Sequence, residues 1–135
     1  MRKALVVGID KYPDKPLSGC ENDAAAVASI LEKNGDGSPN FDVRLLISGS
    51  NNVTSAELQA ALGKLFSGDA ETALFYFAGH GIIDPVTNAG YIVSQDGKKP
   101  SWGISLDELL GMANKASPRI KSTVIILDSC NSGYT

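Results

Sequence analysis

Apolar residues fall along this chain in two kinds of block, short continuous runs and runs spaced by three and four. Residues 3–9 are a continuous run rich in Val and Leu, which predicts a strand buried on both faces. Residues 10–17 carry Pro13, Asp14 and Pro16 and read as a loop. Ala24, Val27, Ile30 and Leu31 have helical spacing within residues 22–33, and Asn34-Gly35 stops that helix. Residues 41–47 predict a strand. Thr54 followed by Glu57 is a capping box that opens a helix reaching about Phe66. Residues 72–78 are strongly apolar and aromatic, as a buried strand requires. Residues 79–88, with two glycines and one proline, read as a loop, and residues 91–94 as a short strand. Ser105 and Glu108 form a second capping box for a helix to about Lys115, and residues 122–127 predict the last strand. Trp102, between Pro100 and Gly103, reads as a loop anchor, with substrate contact as the sharper alternative.

Strands and helices alternate, which predicts an α/β fold: a mainly parallel sheet with helices on both faces, in three α/β/α layers. Such folds gather their chemistry at the carboxyl ends of the strands. Gly79-His80-Gly81 ends one predicted strand and Asp128-Ser129-Cys130 ends another. They are distant in sequence, but neighbouring parallel strands would bring them together. A sheet that stopped at the strand before Cys130 would leave an open edge, so further strands or a partner chain are expected there.

Composition narrows the function classes. The 135 residues fit one domain, 43% are hydrophobic, 20% are charged, and the net charge is −3. A weakly acidic chain without a Lys/Arg cluster is not built for nucleic acid. No apolar run approaches the roughly 18 residues that span a bilayer, so no membrane role is expected. Met1-Arg2-Lys3 before an apolar run imitates a secretion signal, but the run is short and ends at Asp10. It reads as a strand, and the protein as cytoplasmic. Two cysteines, Cys20 and Cys130, are too few for a disulfide framework and suit free thiols. Cys20 has no second Cys or His nearby, which argues against zinc.

Cys130 and His80 are the candidate catalytic pair. A thiol becomes a strong nucleophile when a neighbouring base takes its proton, and His is the side chain best suited to that near neutral pH. The plainer alternative makes His80 a polar loop residue and Cys130 a small core hydrophobe. Both, however, follow apolar strands directly and are flanked by small residues.

Three segments carry a family resemblance. Tyr76-Phe77-Ala78-Gly79-His80-Gly81 resembles the His motif of caspase-like peptidases. Asp128-Ser129-Cys130-Asn131-Ser132-Gly133 resembles their Cys motif in its metacaspase form. Residues 17–24, Leu-Ser-Gly-Cys-Glu-Asn-Asp-Ala, are similar to a third metacaspase segment, and residues 4–12 to the family's opening strand. The resemblance spans the chain in the right order. It implies a caspase-like large-subunit part over residues 1–135, with the small-subunit part supplied by further sequence or a partner chain.

The resemblance also implies a cysteine endopeptidase acting on protein or peptide substrates through a thioester. Cys130 would attack, His80 would manage the protons, and the backbone N–H groups of Gly81 and Cys130 would hold the oxyanion. Asp23 and Asp128 match acids that line the pocket for an Arg or Lys preceding the scissile bond. Structural roles, a helix cap for Asp23 and a turn brace for Asp128, are the alternative. Tyr12 falls near a family pocket position. A Ser common two before the His is Ala78 here. Many metacaspases need Ca²⁺, which takes roughly six to eight oxygens. Between His80 and Cys130 the carboxylates are Asp84, Asp96, Asp107 and Glu108. The last two fit a helix N-terminus, leaving Asp84 and Asp96 for an ion. That is no compact cluster, so no metal site is assigned and Ca²⁺ stays an open cofactor. A catalytically silent caspase-like module that binds partners is the competing function.

Overall fold

Seven residues at the amino end form β1 (Arg2–Gly8), a strand with Ala4 to Gly8 all buried. The computed structural model describes the backbone of residues 1–131 and the side chains of residues 1–128. The Cys130 side chain and Ser132 and Gly133 of the second motif thus lie outside the described residues. After β1 come α1 (Cys20–Glu32), β2 (Phe41–Ile47), α2 (Ser55–Leu65) and β3 (Ala70–Ile83). Then follow β4 (Gly90–Lys98), β5 (Ser101–Ser105), α3 (Leu106–Ala116) and β6 (Ile120–Asn131).

The sheet is mixed, with a parallel centre. β1 lies between β2 and β3, parallel to both, and β6 runs parallel to β3. β4 and β5 extend the sheet in antiparallel pairs from β3. Alternation along the strands divides the core in two. Leu5, Val7, Phe75 and Phe77 pack with Leu58 and Leu62 of α2 and Leu109 of α3. Ala4, Val6, Leu74 and Tyr76 face Ala24 and Ala28 of α1 instead. Helices therefore cover both faces, as the sequence predicts. α1 lies close on β1 because Gly8 has no side chain: a Cβ there would fall 2.5 Å from the Cys20 carbonyl oxygen and 2.7 Å from the Ala24 Cβ.

The hydroxyl half of each capping box forms. The Thr54 and Ser105 hydroxyls accept from the Glu57 and Glu108 N–H, each at 3.1 Å. α1 starts at Cys20, two residues ahead of the sequence expectation, because its cap comes from outside the helix. The Asp10 carboxylate accepts from the N–H groups of Cys20 at 2.9 Å and Glu21 at 3.2 Å. Two orphan helix donors are thereby satisfied, with negative charge at the positive end of the helix.

Three expectations need correction. The loop expected over residues 79–88 begins later, since β3 continues to Ile83 through pairing with β6 and β4. The short strand expected at residues 91–94 is the centre of a longer β4. Trp102, read as a loop anchor, is buried in β5, which pairs with β4 across an irregular register. Partner strands supply the hydrogen bonds in each case, so glycine and polar content did not break the ladders. Among the described residues no strand pairs with the second edge of β6, and Val124, Ile126 and Leu127 are exposed on it.

Candidate active site at the carboxyl edge of the sheet

Parallel pairing of β3 with β6 sets His80 opposite Cys130 and Gly81 opposite Asn131. His80 is 2% exposed. Its Nε2 lies 2.7 Å from the Lys15 carbonyl oxygen. A carbonyl only accepts, so Nε2 carries the proton in this arrangement. In the neutral ring Nδ1 is then the nitrogen able to take one. A backbone carbonyl is the partner of the ring at Nε2. Carbonyls belong to every residue, so no side-chain pattern could have pointed to Lys15.

The loop between β1 and α1 holds that carbonyl in place. The Asp10 carbonyl accepts from the N–H groups of Tyr12 and Leu17, closing the loop on itself. The Ser48 hydroxyl accepts from the N–H groups of Asp10 and Lys11 and donates to the Glu21 carboxylate at 2.6 Å. Tyr12, buried within the same loop, reaches His80 twice. Its hydroxyl accepts from the His80 N–H at 3.0 Å, and its ring centroid lies 4.5 Å from the imidazole.

The two pocket candidates share a neighbourhood. Asp128 accepts a hydrogen bond from the Tyr76 hydroxyl at 3.1 Å. Burial first, then the bond to Asp128 and the charges of Asp128 and Asp23, push the Tyr76 phenol up to about 12. Burial, then the carboxylates of Asp10, Asp23 and Asp128, push the Cys20 thiol up to about 12 as well. Negative potential from Asp23 and Asp128 thus converges on the space between the start of α1 and the end of β6. Asp23 does not cap α1, a task Asp10 performs. Asp128 is braced by Tyr76, a partner the sequence reading missed. Gly81, one residue past His80, is in register with both Asn131 and Ile92. Ala78, in the place of the family's common Ser, is buried.

Asp84 and Asp96, left for an ion by the sequence, have other work. Asp84 accepts from the N–H groups of Val86 and Thr87 in the turn before β4, and those bonds hold its carboxyl below the usual range. Asp96 accepts from the Ser55 N–H at the start of α2 and from the Ser94 hydroxyl. Among the described residues no group of three or more His, Cys, Asp or Glu could hold a metal ion.

Comparison with known proteins identifies the family and the fold. The family model described as "Caspase domain" matches residues 1–134. Among solved structures, protein GSU0716 from Geobacter sulfurreducens superposes with a TM-score of 0.70 at 22% identity, over 96% of this chain and 50% of that one. The chain therefore spans about half the length of that protein. No curated protein matches the sequence significantly.

Proposed function

The chain belongs to the caspase-domain family, and from that premise we propose that it carries the catalytic half of a metacaspase-type cysteine endopeptidase that cleaves after Arg or Lys. One observation carries the reading: His80 and Cys130 are register partners on adjacent parallel strands, with the His80 Nε2 engaged by the Lys15 carbonyl.

In the proposed reaction the His80 Nδ1 takes the Cys130 thiol proton as sulfur attacks the scissile carbonyl. The carbonyl oxygen becomes an oxyanion facing the N–H groups of Gly81 and Cys130, where fixed donors stabilise developing charge. The imidazolium then gives its proton to the leaving amine, the C–N bond breaks, and a thioester remains. Water, deprotonated by His80, attacks that thioester and releases the acid and the thiol. The Lys15 carbonyl holds the ring in one orientation throughout, because it accepts from Nε2–H in both states.

Asp23 and Asp128 would receive the side chain preceding the scissile bond. A guanidinium or ammonium there relieves the like-charge field the two carboxylates impose, whereas a substrate carboxylate would deepen it. The catalytic strand is proposed to be covered by further sequence or a partner chain along β6, whose Val124, Ile126 and Leu127 are exposed.

The test is hydrolysis of fluorogenic peptides that differ only in the residue before the scissile bond, using the protein with its completing segment. Cleavage after Arg and Lys, and none after Asp, is expected. Preference for Asp would refute the pocket. Absence of any Cys130-dependent hydrolysis would favour a partner-binding module.

A further inference from the structure

We propose that Tyr12 is a positioning residue for His80, acting through its hydroxyl rather than its bulk. The proposal rests on the peptidase reading above. It starts from the place where β3 changes neighbours. β1 accompanies β3 as far as the pair Gly8 and Ala78, and the Ala78 carbonyl accepts from the Ile9 N–H at 2.9 Å. β4 takes up pairing from Gly81 opposite Ile92 onward. His80 falls between the two. Its N–H points to the same edge as the Ala78 carbonyl, since strand groups two residues apart face alike. One rung further along the antiparallel register, its opposite number would be Val93. That rung does not close directly. The Tyr12 hydroxyl is inserted in it, accepting from the His80 N–H at 3.0 Å and donating to the Val93 carbonyl at 2.8 Å.

The insertion fixes the backbone of the general base. A buried N–H and a buried carbonyl would otherwise face each other across a gap, and each costs free energy if left unmade. With the hydroxyl in place, the His80 backbone is tied to both β4 and the loop after β1. The same loop presents the Lys15 carbonyl to the ring, and the Tyr12 ring lies 54° tilted against the imidazole. One short segment thus grips the main chain, one ring face and one ring nitrogen of His80. Gly79 permits the approach: a Cβ there would fall 2.5 Å from the Tyr12 hydroxyl oxygen and 2.8 Å from the Phe77 ring. The glycine before the histidine therefore has a physical reason in this chain, which is access for the Tyr12 hydroxyl.

The experiment is Tyr12→Phe in the full chain with its completing segment. Phe keeps the ring contact and the core volume and removes only the inserted oxygen. The expected result is a fall in kcat of roughly 10- to 100-fold, the scale of a small misplacement of a catalytic group, with KM within about twofold. His80 is the sole histidine in the sequence, so ¹⁵N-imidazole NMR reads its ring without overlap. The native protein should give one fixed Nε2–H tautomer, and Tyr12→Phe should shift it toward tautomer averaging. Native kcat with an unchanged imidazole spectrum in the variant overturns the proposal. So does a parallel loss of kcat and KM alongside a lowered Tm, which marks a structural role. If the variant does not fold, the native spectrum decides, because an averaged ring in the native protein also overturns it. A protein without peptide turnover whose ring is fixed, and loosened in Tyr12→Phe, would sink the peptidase reading and leave the positioning role standing.

Discussion

Cys130 stands opposite His80 in a parallel ladder that runs without interruption from Thr72 to Gly81 on β3. Adjacent strands lie about 4.8 Å apart, so register partners are near neighbours whatever their separation in sequence. The register is strongly specified. A slip of one residue would turn the half-buried Ile125 away from the core of β3 and change which residue meets His80. The apolar strands therefore do more than fill the interior: they decide which residues of β3 and β6 stand opposite each other.

If that pairing is catalytic, Cys130→Ala should abolish peptide hydrolysis and His80→Ala should lower kcat/KM by about 10² to 10⁴. Iodoacetamide labelling near neutral pH offers a check independent of substrate. The Cys20 thiol, pushed up to about 12, stays protonated there and labels slowly. Rapid labelling lost in Cys130→Ala and slowed in His80→Ala is expected. Equal labelling rates in native protein and His80→Ala would show that His80 does not activate the thiol.

Asp128→Asn removes the charge beside Tyr76 and keeps the shape. The Tyr76 phenol should fall below about 12, while burial, the larger cause, keeps it above its ordinary 10.0. Spectrophotometric phenolate titration, with Tyr76→Phe as the reference that isolates this phenol among the four tyrosines, reads the change. Asp128→Asn should also weaken cleavage after Arg while leaving Cys130 labelling unchanged. Loss of labelling as well would assign Asp128 to the catalytic turn instead of the pocket.

Gly8→Ala tests the closeness of α1 to β1. The added methyl would meet a backbone carbonyl, which cannot swing aside like a long side chain. Overpacking of this kind costs typically about 1–3 kcal/mol. Chemical denaturation should show that loss, and a native-like midpoint would mean that α1 can shift outward at little expense.

Stability should decline on the alkaline side. Cys20 and Tyr76 both have raised values in the fold, from 9.0 and 10.0 to about 12 each. The unfolded chain therefore ionises them first. Their contribution is complete below about pH 9 and is lost as pH rises toward 12. Urea midpoints measured across that range should fall, and the combination of Cys20→Ser with Tyr76→Phe should flatten the slope. An unchanged slope in that double variant would mean that other groups govern alkaline unfolding.

Local signals in the sequence determined a good deal. Continuous apolar runs placed β1, β2 and the first part of β3, and β2 coincides with its predicted residues 41–47. The capping boxes at Thr54 and Ser105 placed α2 and α3, because a hydroxyl bonding an N–H three residues on is a contact within one turn. The short motifs singled out His80, Cys130, Asp23 and Asp128. What the sequence could not determine depends on partners distant in the chain. Whether His80 lies in a loop or a strand was decided by β6, which supplies its ladder. The cap of α1 was decided by Asp10 and the proton position on His80 by the Lys15 carbonyl. The bridge at its N–H was decided by the Tyr12 hydroxyl. Backbone acceptors are chemically the same at every residue, and a hydroxyl shows no direction in sequence. Only the folded chain, by bringing the loop after β1 across the ends of β3 and β4, decides which of them meets the histidine.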